Sequence, residues 1–185
     1  MPSATVSATK LDWSRVWVTL ADERWVETTS EDSNERFVRE KLLVGAATAA
    51  HFVGLKNPAP TPEAGADWAS RALTRVPHPF DVVLLGMGPD GHTASLFPGS
   101  LALARGLDPA APPTCIAVNA LVAPHARVSM NLAALLDSRR IVVHIEGDEK
   151  WAVYQRARTP GTPAELPIRA ILQQKEVPVD VYWSP

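Results

Sequence analysis

A layered α/β domain is predicted by three observations. Six short runs are rich in β-branched and aromatic residues, helical patterns lie between several of them, and most of the runs are apolar on both faces. Val16 to Leu20 reads as the first strand. A helix follows from about Asn34 to Leu43, with Ser33 or Asn34 placed to cap it and an alanine-rich stretch that can carry it on to His51. Thr61 as cap and Pro62 in the first turn open a second helix, which sets Trp68, Ala72, Leu73 and Val76 on one side. Asp81 to Leu85, Cys115 to Asn119, Arg127 to Met130 and Ile141 to Ile145 are the next strands. Asp148 can cap a third helix with Trp151, Val153 and Tyr154 near its start, and Pro167 can open a fourth with Ile168, Ile171 and Leu172 inward. Val179 to Trp183 is the last strand. The βαβα succession predicts a mostly parallel sheet covered on both sides, a three-layer α/β/α domain.

Composition narrows what such a domain can do. A chain of 185 residues, 46% hydrophobic, suits one substantial core, and its 17 prolines fall mainly in connections at 57–62, 98–113 and 159–167. No repeat or linker divides it, so a single domain over 1–185 is expected. Eighteen basic against 20 acidic side chains leave a net charge of -2, so no long-range field favours nucleic acid or an anionic membrane. Cys115 is the only cysteine, which excludes an intrachain disulfide and a cysteine-based zinc site and fits a reducing cytoplasm. The opening MPSATVSATKLDW has no basic segment followed by an apolar one, and Leu42 to Val53 is too short to span a bilayer; a soluble cytoplasmic protein is expected. The six tryptophans, in this acidic balance, read as packing residues rather than a base-stacking platform.

The chemistry concentrates in Phe80 to Gly99, FDVVLLGMGPDGHTASLFPG, where a strand runs into a glycine-rich turn. Read as a string, Gly86 to Gly91 matches the dinucleotide pattern G-x-G-x-x-G. That pattern needs a long helix opening at the third glycine, yet Pro98 and Gly99 follow soon after, and Pro89 has no N–H to face a pyrophosphate. Pro-Asp-Gly is a turn former in its own right. His92 adds more, because side chains two residues apart in extended backbone share a side and Gly91 puts no bulk between them. A carboxylate beside an imidazole orients the ring and stabilises its protonated form, which makes Asp90 and His92 a candidate proton-transfer pair. His51, His78, His125 and His144 show no metal spacing and read as surface or capping residues; His144-Ile145-Glu146 lacks the downstream cysteines of a zinc deaminase.

Three segments together, LDWSRVWVTLADERWV with the following DSN, GMGPDGHTASLFPG, and HARVSMNLAALLDSRRIVVHIEGDEK, resemble the 6-phosphogluconolactonases, within the fold group that includes glucosamine-6-phosphate deaminases. The resemblance runs from about Leu11 to the C-terminus. It implies a Rossmann-like domain that hydrolyses 6-phospho-D-glucono-1,5-lactone to 6-phosphogluconate, the second step of the oxidative pentose phosphate pathway. The partner implied is this small sugar-phosphate lactone, with no metal or organic cofactor. Carried onto this chain, His92 is the general base that activates water and Asp90 orients it. Arg24, just after Asp22 and Glu23, holds the lactone or stabilises its oxyanion. Arg127 and Lys150 grip the phosphate, and Gly88 and Asp22 complete the substrate-binding set. From local sequence alone, Asp22-Glu23-Arg24, Arg127 and Lys150 each read as ordinary surface charge; only the joint pattern lifts them.

Two departures from the family stand out. Its members carry, ahead of the segment starting near Leu11, a helix, a strand near the sheet centre and a Ser-Gly-Gly-x-Thr-Pro-like loop for the phosphate. Only ten residues precede Leu11 here, whereas a strand with its crossover helix takes roughly thirty, so an N-terminally shortened domain is expected. Ser129-Met130-Asn131 also stands where threonine-rich sequence is usual; Met130 is expected to pack inward and Asn131 to cap a helix or touch substrate. Two rival functions remain open to the sequence. One is a sugar-phosphate deaminase or isomerase, against which Arg24 and Ser95-Leu96-Phe97-Pro98 speak. The other is a catalytically silent sugar-phosphate-binding module or fragment.

Overall fold

The structure, a computed structural model, describes residues 7–119 and 124–185. Among these, eight strands make three hydrogen-bonded sheets. Strands β1 (Trp17–Thr19) and β3 (His51–Val53) pair in parallel, with Trp17 opposite His51. Strands β4 (Val83–Leu85), β7 (Ile141–Glu146) and β8 (Val179–Ser184) form a second parallel set, with β7 in the middle. The third sheet is antiparallel: β6 (Ala126–Met130) lies between β2 (Asp22–Arg24) and β5 (Cys115–Asn119). Residues 120–125 join β5 to β6, too short a connection for the crossover that parallel pairing needs. The expected α/β layering with mostly parallel pairing holds, and the antiparallel ribbon is an addition that apolar patterning did not distinguish.

The helices show where local chemistry decided and where it did not. Helix α1 (Asn34–Lys41) is capped by Ser33, whose hydroxyl accepts the Arg36 N–H at 3.1 Å. The helix does not continue to His51. Gly45 takes a left-handed φ of 58°, a short 3₁₀ turn covers Gly45–Ala49, and His51 opens β3 instead. Alanine-rich sequence favours helix, but pairing with β1 overrides that preference. Helix α2 (Pro62–Leu73) starts as expected, with the Thr61 hydroxyl accepting the Ala64 N–H. Its buried face is Ala66, Ala69, Ala72 and Leu73, which leaves Trp68 exposed rather than on the inner side. A short helix α3 (Leu103–Gly106) and helix α4 (Leu132–Leu136) follow; Asn131 caps α4 through the Ala134 N–H and is buried, which accounts for it as a cap. Gly147 occupies the cap of α5 (Asp148–Ala157), and Asp148 is its first helical residue, where its charge complements the helix dipole. Helix α6 (Ile168–Leu172) turns Ile168 and Ile171 into the core.

The core runs from Leu85 and Met87 through Ile141, Val143 and Ile145 to Val118, Val128, Met130 and Leu135, all buried. One strand departs from the expectation of cover on both faces. Val82 and Leu84 are 56% and 67% exposed, and they line a slot of about 730 Å³ between β1 and β4. Each of these two strands has one hydrogen-bonded neighbour among the described strands, β3 and β7 respectively. Phe37 and Val38 of α1 and the stretch from Val16 to Leu20 form the rest of the wall, and the slot reaches Asp22 and Met130 at its far end.

Candidate active site

Strand β4 delivers the chain into a turn that closes on itself. The Gly88 N–H donates to the His92 carbonyl at 2.9 Å, and the Gly91 N–H donates to the Gly88 carbonyl at 3.0 Å. Within that turn Asp90 Oδ1 accepts the His92 N–H at 3.1 Å and lies 2.6 Å from His92 Nδ1. One carboxylate therefore holds both the backbone and the ring of His92, and the imidazole keeps about a quarter of its surface exposed. Gly88 packs directly beneath the pair. A Cβ there would fall 2.3 Å from His92 Cε1 and Nδ1 and 2.7 Å from Asp90 Oδ1, so only glycine leaves room for them. Its N–H is taken by His92, which makes its contribution one of space rather than of a donor. No helix opens at Gly91: Thr93 bridges to Leu96, and the next helix is α3, so the dinucleotide pattern lacks the helix N-terminus it requires.

The antiparallel ribbon brings the charged residues together. Register sets Asp22 opposite Ser129, Glu23 opposite Val128 and Arg24 opposite Arg127. Side chains alternate along a strand, so Asp22, Arg24, Arg127 and Ser129 share one face while Glu23 and Val128 point to the other. Glu23, fully buried, accepts the N–H groups of Arg24, Asn34 and Glu35 and the Ser33 hydroxyl, which pins the start of α1 to β2. Burial pushes its carboxyl above the ordinary range, and those four hydrogen bonds oppose the shift. Arg24 donates to the Asp32 carbonyl at 2.7 Å, and its Nε is buried without a partner. Arg127, itself buried, lies 3.5 Å from Asp22, and its Nε is likewise unpartnered. Burial lowers its pKa and Arg24 lowers it further, while Asp22 raises it.

Like charges directly opposite each other on a ribbon are destabilising, by about 0.2–1 kcal/mol for typical cross-strand pairs. Only Arg127 has a carboxylate against it, Asp22 at 3.5 Å, while Arg24 is tied to a backbone carbonyl, so the arrangement suits an anion placed between or over the two guanidinium groups. Phe97 links this pair to His92. The His92 ring packs on it at 4.2 Å between centroids, and the Arg127 guanidinium sits 5.2 Å from its centre.

Asp22 is committed inside the protein: it accepts from the Ser95 hydroxyl at 2.6 Å and from Asn34 Nδ2 at 3.3 Å, besides facing Arg127. Lys150 stands half-buried in the first turn of α5 and makes no ion pair with a described residue, so the structure does not join it to the arginines. Ser95, Phe97 and Ser129 belong to the site although nothing in their local sequence marks them. Ser95 and Ser129 meet partners far along the chain, whereas Phe97 meets both the nearby His92 and the distant Arg127.

Pairing with aspartate does not by itself single out His92. His78 meets Asp137 at 2.7 Å and His125 meets Asp32 at 3.0 Å. His78 precedes β4, at the opposite end from His92; His125 directly precedes β6 and meets Asp32, the residue whose carbonyl anchors Arg24. Only His92 rests on Phe97. Among the described residues, no three of His, Cys, Asp or Glu converge as a metal-ligand set. Burial pushes the Cys115 thiol up to about 12, which leaves it no thiolate with which to act as a nucleophile.

Comparison with known proteins adds the remaining evidence. The family model described as glucosamine-6-phosphate isomerases/6-phosphogluconolactonase matches residues 2–183. A 6-phosphogluconolactonase of Rhizobium meliloti is 44% identical over 98% of this chain and 78% of its own length. One from Pseudomonas putida is 45% identical over 95% of this chain and 71% of its own. The crystal structure of a 6-phosphogluconolactonase from Shewanella baltica superimposes with a TM-score of 0.95 at 48% identity, covering all of this chain and 79% of that one. The match spans the ribbon, the Asp90–His92 turn and the arginine pair alike, and the chain belongs to the glucosamine-6-phosphate isomerase/6-phosphogluconolactonase family.

Proposed function

We propose that this chain is a lactone hydrolase acting on 6-phosphogluconolactone, with His92 as the catalytic base and the arginine pair as the anion grip. The observation that carries the reading is the 2.6 Å contact between Asp90 and His92 Nδ1 on a turn packed, through Phe97, against Arg127. With Nδ1 donating to the carboxylate, the lone pair of Nε2 is the one available to a water molecule. The water loses its proton to Nε2 as its oxygen bonds to the lactone carbonyl carbon. The carbonyl π electrons move onto oxygen, and a guanidinium stabilises that oxyanion. Collapse of the intermediate breaks the bond to the ring oxygen, which takes the proton back from the imidazolium. The acid so formed ionises, and the water has been added across the ester. Arg24 is assigned to the oxyanion and Arg127 to the phosphate; the assignment of Lys150 to the phosphate rests on the family resemblance alone. The position of Arg24 directly opposite Arg127 on the ribbon, with the Nε of each unpartnered, supports the arginine assignments, and the relatives' names support the substrate.

Such a reaction fits the hydrolytic second step of the oxidative pentose phosphate pathway. Among the described residues no helix is long and apolar enough to cross a membrane. The test is a continuous assay on freshly generated lactone, with and without its phosphate. Hydrolysis above the spontaneous rate, with a clear preference for the phosphorylated ring, is expected. A rate equal to the spontaneous one, or release of ammonia from glucosamine 6-phosphate instead, would overturn the proposal.

A further inference from the structure

We infer that Ser95 is a positioning residue, which sets the separation between the catalytic base and the arginine pair; the inference rests on the hydrolase reading above. The base and the arginines sit on different pieces of chain. His92 rides on the turn after β4, whereas Arg24 and Arg127 ride on the antiparallel ribbon. Ser95, three residues beyond His92 and fully buried, bonds that turn to the ribbon twice. Its hydroxyl donates to Asp22 Oδ2 at 2.6 Å, and its N–H donates to Ser129 Oγ at 3.2 Å. Asp22 and Ser129 are themselves partners across the ribbon, so both bonds land on one cross-strand pair. That pair is the next one along from Arg24 and Arg127 on the same face. Asp22 Oδ2 also faces Arg127 Nη1, so a single oxygen receives both the turn and the guanidinium.

Backbone geometry points the same way. Ala94, the residue between Thr93 and Ser95, has a φ of 47°, a conformation that side-chain-bearing residues avoid. Such strain persists where neighbours over-determine the chain. Here the Thr93 hydroxyl holds the Gly86 carbonyl at 2.8 Å on one side, and the two Ser95 bonds hold the other. Without the Ser95 hydroxyl, Ala94 can relax and carry His92 away from the ribbon. A misplacement of the reacting groups on that scale lowers turnover while leaving each binding group intact.

The test is a double-mutant cycle on the full chain, assayed with the phosphorylated lactone. Ser95→Ala is expected to lower kcat about tenfold, with KM changed less than about threefold, because both arginines remain. The pH midpoint of the kcat profile is expected to stay where it is in the unaltered chain, since Asp90 still holds the ring. In an Asp22→Ala background the further change Ser95→Ala is expected to cost less than about twofold, because the shared oxygen is already gone. Ser129→Ala, which removes only the acceptor of the N–H, supplies a milder variant should Ser95→Ala fold poorly, and it is expected to reduce kcat in the same direction by a smaller factor. An unchanged kcat in Ser95→Ala, a loss confined to KM, a shifted pH midpoint or full additivity with Asp22→Ala would each overturn the inference while leaving the hydrolase reading standing. A complete lack of hydrolysis by the unaltered chain would remove both.

Discussion

Asp22 borders two regions of opposite character. On one side lies the ribbon with its attached turn, where Asp22, Ser95, Ser129, Asn34 and Arg127 hold one another and Glu23 ties in the start of α1. On the other lies the slot between β1 and β4, where Phe37, Val82 and Leu84 expose 60%, 56% and 67% of their surface. Polar groups saturate the first region, and apolar groups lie open to water in the second. The contrast teaches that the candidate site does not draw its geometry from the part of the sheet that is open. Its candidate groups are held by hydrogen bonds between the turn and the ribbon, through Ser95, Asp22 and Ser129.

Four substitutions can break or sharpen that contrast. The largest effect is expected from His92→Ala, which should remove most of the hydrolysis above the spontaneous rate, by about 10²- to 10⁴-fold in kcat, without lowering the urea midpoint appreciably. Retained turnover would detach the chemistry from the braced region. Leu85→Ala comes next. Leu85 is 3% exposed and faces the core from β4, so its truncation should cost about 2–5 kcal/mol of unfolding free energy in urea titration. Arg127→Ala should raise KM for the phosphorylated lactone about tenfold and have little effect with the lactone that lacks phosphate; equal losses on both would make its role structural. The smallest effect is expected from Leu84→Ala, one residue before Leu85 and on the slot side, which should change stability by no more than about 0.5 kcal/mol. A loss comparable to that of Leu85→Ala would mean that Leu84 is covered in solution, and the contrast would fail.

Much of the fold was readable because it follows from local rules. Cys115–Asn119 is a strand at the bounds expected, and Ile141–Glu146 and Val179–Ser184 exceed theirs by one residue, since β-branched runs mark strands at this length. Ser33 and Thr61 cap the helices they were expected to cap, through short side-chain acceptors. Strands Asp22–Arg24 and His51–Val53 escaped notice because three residues with charged or mixed side chains carry no periodic signal. The helix expected to reach His51 failed for the related reason that β1 offered a pairing partner no local propensity records. At the site, the Asp90–His92 pair was readable because two residues in one turn bring their own side chains together.

By itself, the amino-acid sequence determined the layered α/β class, the capped helices and the contact between Asp90 and His92, all of which depend on neighbours within a few residues. Only the tertiary structure decided that Arg24 faces Arg127, that Ser95 reaches Asp22, that Lys150 stands apart and that Leu84 lies open beside a slot. Register and strand order set those relations, and they join residues such as Ser95 and Asp22 that are far apart along the chain. The physical reason is that one free energy of packing selects the register for the whole ribbon at once, so no short segment carries the information alone.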